Sequence, residues 1–414
     1  MSSTIKEFWL LSLHFKSALH IGRGSSDTFM GAAEIIENGA GIYVIPGTSI
    51  AGVFFSTLMT CVQPQDRKST LWKELTGEGK KNNDDSTASW LVFRSAEIDP
   101  KLLQVRDKVS INRKTKTAKD GAKFTAWEII PNDLEVLIEF DNLSRHEPLS
   151  DANCIQLIKW IDAVLSSWQI EGFFLGAYSG TGSGYVKLKD INHCSLNSTN
   201  FHAYLDASYQ DLPAAKMGWQ IYKPQTTDNK FKSAFLSKYS LKVKVDYQNP
   251  LLIKGGVSYV SYANPNTDAP FIHRDGKPFI PGSSIRGAIS SFMDKYAKAN
   301  WKILLGQPKD DDQSETGGYI IFTDLLMQKE GKLMQIERHA EDQFSRAIYG
   351  SGKFDEERLF NAEFYGEIFV LSGAPIAVDE LDKLFAFLKS GIDLNMISLG
   401  SGACYPKITL EELS

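Results

Sequence analysis

Cysteine is scarce in this sequence, and its four copies are scattered. Cys61, Cys154, Cys194 and Cys404 form no Cys-x-x-Cys pair and have no histidine cluster beside them. This spacing argues against a zinc site and against a disulfide framework, and it suits a reducing compartment. We therefore expect a cytoplasmic protein.

Long apolar runs are absent as well. No stretch approaches the roughly 20 apolar residues that a membrane-spanning helix needs. The N-terminal residues show no charged segment followed by an apolar core, so we expect no signal peptide. The 414 residues are 43% hydrophobic and 11% aromatic, which is enough for buried cores. This length favours two domains of roughly 150–200 residues each.

The chain also lacks an excess of positive charge. Its net charge is −5, whereas a basic domain is the usual mark of a nucleic-acid-binding protein. A local basic surface is nevertheless enough for phosphate contacts. Residues 101–123 supply one, because they combine two aspartates with Lys101, Arg106, Lys108, Arg113, Lys114, Lys116, Lys119 and Lys123. A solvated surface loop has the same composition, so both interpretations stay open.

The sequence repeats itself. An Ile-Pro-Gly-x-Ser-Ile motif occurs at residues 45–50 and again at 280–285. A segment with helical periodicity that runs into a glycine-rich turn occurs at 156–185 and again at 378–405. An Ile-x-Arg segment lies between these landmarks in each copy.

The offsets between the copies are nearly equal: 235 residues from Pro46 to Pro281, 225 from Arg113 to Arg338 and 224 from Gly176 to Gly400. Three landmarks in the same order at similar offsets predict a tandem duplication. We expect a first module at 1–204, a linker at 205–236 and a second module at 237–414.

Each copy begins with a strand-like run, at 8–15 and at 239–245, and the second run alternates as a half-buried strand does. The Ile-Pro-Gly motif then leads into a helix, whose first amides we expect the serine and threonine side chains to cap. Further strands are predicted at 89–93 and 134–140, with counterparts at 318–322 and 367–371. Strand, helix, strands, helix, glycine-rich turn and strand is the order of a split βαβ, ferredoxin-like unit. The predicted fold class is α+β, as two such units in tandem.

The second motif, Ile280–Gly287, together with a late glycine-rich turn, resembles the RAMP superfamily of CRISPR proteins. Three further features are similar to the backbone subunits of type III CRISPR effectors: the segment Leu19–Gly24, the Ile-x-Arg segments and Asp268-Ala269-Pro270. In such subunits a ferredoxin-like (RRM-like) palm binds guide RNA (crRNA). A long thumb hairpin, here expected at about 101–130 and 332–365, kinks the guide–target duplex. The implied partners are crRNA, complementary target RNA and the other subunits of an antiviral effector complex.

The resemblance also implies a set of RNA-binding residues, which lie in the early loops, the motif turns, the thumbs and the glycine-rich turn. They are His20, Arg23, Ser49, Arg113, Lys114, Lys116, Gly180, Gly182, Lys254, Ser283, Ser284, Arg286 and Arg338. A buried packing histidine is the alternative for His20, and a purely structural turn is the alternative for the glycines.

The resemblance further implies catalysis, because type III backbone subunits cut target RNA with an aspartate ahead of the Ile-Pro-Gly turn. Asp268 lies thirteen residues before Pro281 and matches the Asp-x-Pro pattern. Its carboxylate would position or deprotonate a ribose 2′-OH, or hold Mg²⁺ or another divalent cation as cofactor. The alternative is an aspartate that caps a proline-containing turn. At the same distance the first copy has Ala33 followed by Glu34, so we expect that copy to be inactive.

Three other functions stay open from the sequence. The chain is a non-catalytic structural segment of the same complex, or an endoribonuclease that processes guide RNA, or a generic ferredoxin-like RNA-binding protein. The last lacks support, because no RNP-type aromatic strand motif is present.

Overall fold

The structure of the chain, a computed structural model, describes residues 6–23, 32–76, 89–111, 118–142, 149–207, 212–213, 217–225, 233–255, 267–306, 318–341, 345, 348–401 and 404–413. Residues 6–225 are called the first half below, and residues 233–413 the second half. Within the described residues, no helix is both long enough and apolar enough to cross a membrane.

The first half contains strands and helices in alternation. Its strands are β1 (Lys6–Phe15), β2 (Ala32–Ala33), β3 (Val44–Ile45), β4 (Leu91–Phe93), β5 (Ala96–Glu97), β6 (Pro100–Ile111), β7 (Ala118–Pro131), β8 (Leu134–Asp141), β9 (Phe173–Phe174), β10 (Tyr185–Ser195) and β11 (Gln220–Ile221). Its helices are α1 (Gly47–Cys61), α2 (Thr70–Thr76), α3 (Asp151–Ile170) and α4 (Phe201–Asp206), with 3₁₀ turns at Asp66–Lys68 and Ser179–Thr181.

The second half repeats most of this order. Its strands are β12 (Phe235–Val245), β13 (His273–Arg274), β14 (Lys277–Ile280), β15 (Ile320–Phe322), β16 (Leu325–Lys329), β17 (Lys332–Glu341), β18 (Ile348–Phe360), β19 (Ala362–Leu371) and β20 (Lys407–Glu412). Its helices are α5 (Gly282–Tyr296), α6 (Ala299–Lys302) and α7 (Val378–Asp393), with a 3₁₀ turn at Ile303–Leu305.

The main sheets of the two halves have the same topology. In the first half the strand order is β10-β1-β8-β4, and in the second it is β20-β12-β19-β15, with every neighbouring pair antiparallel. Even the register corresponds: Leu11 faces Val136, and Leu241 faces Gly366 at an offset of 230 residues. The mixed architecture of helices and antiparallel sheets predicted from the sequence is confirmed.

Each sheet packs one face against two helices, because its strands alternate apolar residues toward that side. Phe54 of α1 and Leu165 of α3 meet Leu11 in one fully buried core. In the second half, α5 and α7 cover the sheet in the same way. Each half therefore has a core of its own, as a duplication requires.

The opposite faces of the two sheets differ. In the first half, Phe8 and Leu10 point away from the helices and are covered by the segment that contains α4, Met217 and Trp219. In the second half, the same face carries Lys238, Lys242 and Lys244 of β12, each paired with a glutamate of a neighbouring strand at 3.4–3.6 Å. Part of the predicted linker thus packs on the first sheet.

Helices α1 and α5 begin directly after the Ile-Pro-Gly prolines, but their capping differs from the prediction. No side chain of the motif caps either helix. The Gly47 amide donates to Ser95 Oγ (3.1 Å), and the Gly282 amide donates to Asp324 Oδ1 (2.7 Å). The motif glycine is needed because a Cβ at either position would lie 2.0 Å from a strand carbonyl, that of Phe93 or of Phe322.

Two long hairpins project from the sheets. The first, β6–β7, covers the thumb predicted at 101–130 almost residue for residue. The second, β17–β18, ends at Phe360, so the predicted range of 332–365 was too long, and its last residues belong to β19.

Candidate functional site

Asp268 lies at the base of the second hairpin. The next residue, Ala269, forms a parallel bridge to Glu356 of β18, so the chain passes alongside this strand. The Asp355 amide donates a hydrogen bond to Asp268 Oδ2 (3.0 Å), and Asp268 is exposed. The carboxylate is therefore held at the surface beside the strand by backbone contacts.

The equivalent position in the first half is Ala32. There β2 runs parallel to β7, with Ala33 facing Ala126, and Ala126 corresponds to Glu356 through the common offset of 230. Ala33 is thus the counterpart of Ala269. The register corrects the predicted match of Asp268 with Ala33 by one residue, because fourteen residues separate Ala32 from Pro46 and thirteen separate Asp268 from Pro281.

Glu34 consequently occupies the place of Pro270. The Arg23 amide donates to the Glu34 carbonyl (3.2 Å), as the Gly255 amide does to the Pro270 carbonyl (2.9 Å). Two residues along an extended chain span roughly 6–7 Å, so Glu34 does not present its carboxylate where Asp268 does. Its side chain lies 3.7 Å from Arg23 Nη1, and both are exposed.

The base of the first hairpin forms a buried ionic cluster with the second half. Arg106 Nη1 lies 3.3 Å from Glu128 Oε1 and 3.6 Å from Asp324 Oδ2, and Lys108 Nζ lies 3.2 Å from Glu128 Oε1. Arg274 also pairs with Asp324. We call these five residues the junction cluster. Arg106 and Lys108, predicted to line a basic RNA surface, point into the junction between the halves instead.

The charges of the junction cluster shift one another's protonation. Burial alone would raise the pKa values of Asp324 and Glu128. The neighbouring Arg274 and Arg106 outweigh burial at Asp324, Arg106 and Lys108 do so at Glu128, and both pKa values are lowered. Burial lowers the pKa of Lys108 to about 8, against the pull of Glu128. Lys108 Nζ also lies 3.3 Å from the ring centroid of Tyr178.

His20 takes the packing alternative. It is 3% exposed, its Nδ1 lies 2.7 Å from the Trp127 carbonyl oxygen, and its ring packs beside Tyr178. The buried ring thus links the first hairpin to the loop after β1. In this conformation its side chain is not presented to RNA.

The glycine-rich turn of the first half packs against the second half. A Cβ on Gly182 would lie 2.4 Å from Thr323 Cα, and one on Gly180 would lie 3.0 Å from Arg286 Nη1. Arg286 donates to the Leu305 carbonyl. These three predicted RNA contacts are therefore engaged within the chain, which favours the structural alternative for the glycines.

The other predicted RNA-binding residues are spread over the surface. Ser283 and Lys254 are exposed, Ser49 and Ser284 are half-buried at the starts of α1 and α5, and Arg338 pairs with Glu356 at 2.5 Å. Ser283 Oγ accepts a hydrogen bond from Arg106 (3.5 Å). Arg113, Lys114 and Lys116 fall outside the described residues.

Among the described residues, no three histidine, cysteine, aspartate or glutamate side chains come together as a metal site. Asp355 of β18 is an acidic neighbour of Asp268, and its carboxylate accepts a hydrogen bond from Gln335 (3.0 Å). Mg²⁺ typically binds through one or two carboxylates together with water and substrate phosphates. The donors beside Asp268 are of that kind, without forming a closed site.

Comparison with protein families decides the identity. The model of the RAMP superfamily matches residues 12–187 and again residues 247–405. The chain belongs to the RAMP superfamily. No curated protein matches it. The two matched regions correspond to the two sheets with their helices and hairpins, so the chain contains two RAMP modules, and the predicted family is confirmed. RAMP proteins are CRISPR-associated and bind RNA.

Strand register changes the pairing of the two Ile-x-Arg segments. The sequence alignment paired Arg113 with Arg338 at an offset of 225 residues. Facing pairs in the two RAMP hairpins correspond at 230 instead, since Lys108 faces Phe124 and Arg338 faces Phe354. Arg338 is therefore the counterpart of Lys108.

Proposed function

We propose that this RAMP protein is a guide-RNA-binding backbone subunit of a type III CRISPR effector, and that its second module cleaves complementary target RNA. The observation that carries the proposal is the exposed carboxylate of Asp268, fixed beside the base of the second hairpin. The boundaries 1–204, 205–236 and 237–414 remain our proposal for the modules and their linker.

The common sheet order supports a ferredoxin-like palm in each module. The order β10-β1-β8-β4, with helices after the motif and before the last strand, is the arrangement of a split βαβ unit. A hairpin inserted before the third sheet strand of each palm then has the place and length of a thumb.

RNA has to reach these palms from the hairpin side. The outer sheet face of the first half is covered by the α4 segment. That of the second half pairs its lysines with glutamates, which leaves little net charge for phosphates. The segment 113–119 of the first thumb contains four basic residues and no acidic one. Its lysines Lys114, Lys116 and Lys119 are the proposed phosphate contacts.

Cleavage would use the ribose 2′-OH of a kinked target strand as nucleophile toward its own phosphate. Asp268 accepts the proton of that hydroxyl or orients it, since a carboxylate within hydrogen-bond reach does this work. A divalent cation, proposed as Mg²⁺ bound through Asp268, would stabilise charge on the phosphate. Ala32 provides no such group, so the first module binds RNA without cutting it.

Replacement of Asp268 by asparagine tests the proposal, because the shape is kept while the basic oxygen is lost. In the assembled complex, end-labelled target RNA should lose one cleavage product, while guide binding stays intact. Glu34→Gln is the matched control and should leave every product in place. An unchanged pattern in the Asp268 variant would favour the non-catalytic backbone role. Altered guide ends instead would favour a guide-processing endoribonuclease.

A further inference from the structure

The contact between the two halves is of the head-to-tail kind. The first half contributes its hairpin base and glycine-rich turn, and the second contributes the start of α5 and the strand end at Phe322–Asp324. Two different surfaces of one repeated fold thus meet. Such a heterologous contact leaves one copy of each surface unused at the two ends of the pair.

The unused hairpin surface lies in the second half. On the face equivalent to that of Arg106 and Lys108, the second hairpin presents Arg338 and Arg358, which both pair with Glu356 Oε1 at 2.5 and 2.6 Å. Each hairpin face thus has two cations for one carboxylate. In the first half the second carboxylate, Asp324, comes from the neighbouring module.

Exposure distinguishes the two hairpin faces. The side chain of Lys108 is 14% exposed, whereas that of its counterpart Arg338 is 47% exposed. Met334 and Phe354 on the same face are 39% and 37% exposed. An open surface of one arginine and two large apolar side chains has the composition of an interface core.

The unused acceptor surface lies in the first half and differs in charge. Ser95 is the counterpart of Asp324, because each accepts the first amide of its helix. Ser95 is exposed and neutral, while Asp324 is buried. Its neighbour Arg94, the counterpart of Thr323, pairs with Glu139 at 2.7 Å. A second copy of this chain would therefore offer the second hairpin a cation and a hydroxyl, but no carboxylate.

We propose that the face formed by Met334, Arg338, Phe354 and Arg358 docks a RAMP module of a different chain, one that carries a carboxylate at the position of Asp324. Ser95 in turn prevents head-to-tail growth of this chain with itself. Electrostatic complementarity of this kind selects partners more than it adds affinity. The inference rests on the backbone role proposed above, but it concerns assembly and involves neither RNA nor Asp268.

Restoring the missing carboxylate tests the inference with the full chain alone. Sedimentation velocity over a concentration series should find the wild type monomeric. Ser95→Asp should self-associate at least tenfold more tightly than Ser95→Asn, whose new side chain has the same shape without the charge. Arg338→Glu added to Ser95→Asp should reverse this. Raised salt should weaken the association, since a charge pair drives it.

Two results would overturn the inference. One is self-association of the wild type that Arg338→Glu abolishes, and the other is equal behaviour of the Ser95→Asp and Ser95→Asn variants. Should Ser95→Asp unfold, Thr48→Asp offers a second route. Thr48 is exposed and corresponds to Ser283, the residue that Arg106 contacts, and an acid in the first turn of a helix is favourable. Cleavage assays play no part, so failure here leaves the catalytic proposal intact.

Discussion

Arg106 of the first half and Asp324 of the second meet inside the protein, with 3.6 Å between Nη1 and Oδ2. Asp324 also caps α5 and pairs with Arg274, so one carboxylate joins a hairpin, a helix and a loop from both halves. Breaking a buried pair from one side leaves a charge without compensation, which costs more than the pair itself contributes. The joint between the halves should depend on this single side chain.

Asp324→Asn tests that dependence. Asparagine still accepts the Gly282 amide but leaves Arg106 and Arg274 facing a neutral group. We expect a loss of about 3–5 kcal/mol in the free energy of unfolding. Asp275→Asn is the control, because Asp275 pairs with Lys101 across the same junction at 3.5 Å but in solvent, and such a pair is worth below about 1 kcal/mol. Equal losses in urea unfolding would contradict this account.

Lys108 should give the stability a measurable pH dependence. Burial lowers the pKa of Lys108 to about 8, while in the unfolded chain it returns to about 10.5. Between these values the unfolded state binds more protons, so wild-type stability gains on the order of 2 kcal/mol as pH rises from about 8 to 10. Lys108→Met removes the gain. Lys101→Met, at an exposed site, keeps it. Parallel stability curves for wild type and Lys108→Met would refute the buried, destabilised lysine.

The sequence predicted the fold well because its signals are local. The alternating run that became β12, the helical periodicity of α3 and α7, and the Ile-Pro-Gly turns all depend on neighbouring residues. The caps on α1 and α5 were missed, since Ser95 and Asp324 lie more than forty residues beyond the turns that they cap.

Gly182 should show how closely the halves fit. Its φ is +80°, and an added Cβ would meet Thr323 Cα at 2.4 Å; Gly218 has φ +79° with nothing within 4 Å. Gly218→Ala therefore measures the cost of the left-handed backbone alone, about 1 kcal/mol. Gly182→Ala adds the collision and should lower the unfolding midpoint clearly further. Similar midpoints for the two variants would mean that the junction yields easily.

The candidate site was less predictable than the fold. Counting from Pro46 placed Ala33 opposite Asp268, because one extra residue lies between β2 and the motif of the first half. Only strand register reveals this. Likewise, the basic composition of residues 101–123 gave no sign that Arg106 and Lys108 pair with Glu128 and Asp324, which are contacts made by folding.

The thumb lysines provide the last prediction. Lys114, Lys116 and Lys119 replaced together by glutamine should weaken guide-RNA binding and flatten its dependence on salt, by about 2 in the slope of log K against log salt for three phosphate contacts. The matched control replaces Lys238, Lys242 and Lys244 by glutamine, which removes the same charge from a surface where each lysine has a glutamate partner. This control should leave the slope unchanged, because a paired lysine releases no counterion from RNA. Filter binding at several salt concentrations measures both slopes. A slope that changes only in the control would move the RNA from the hairpins to the second sheet face.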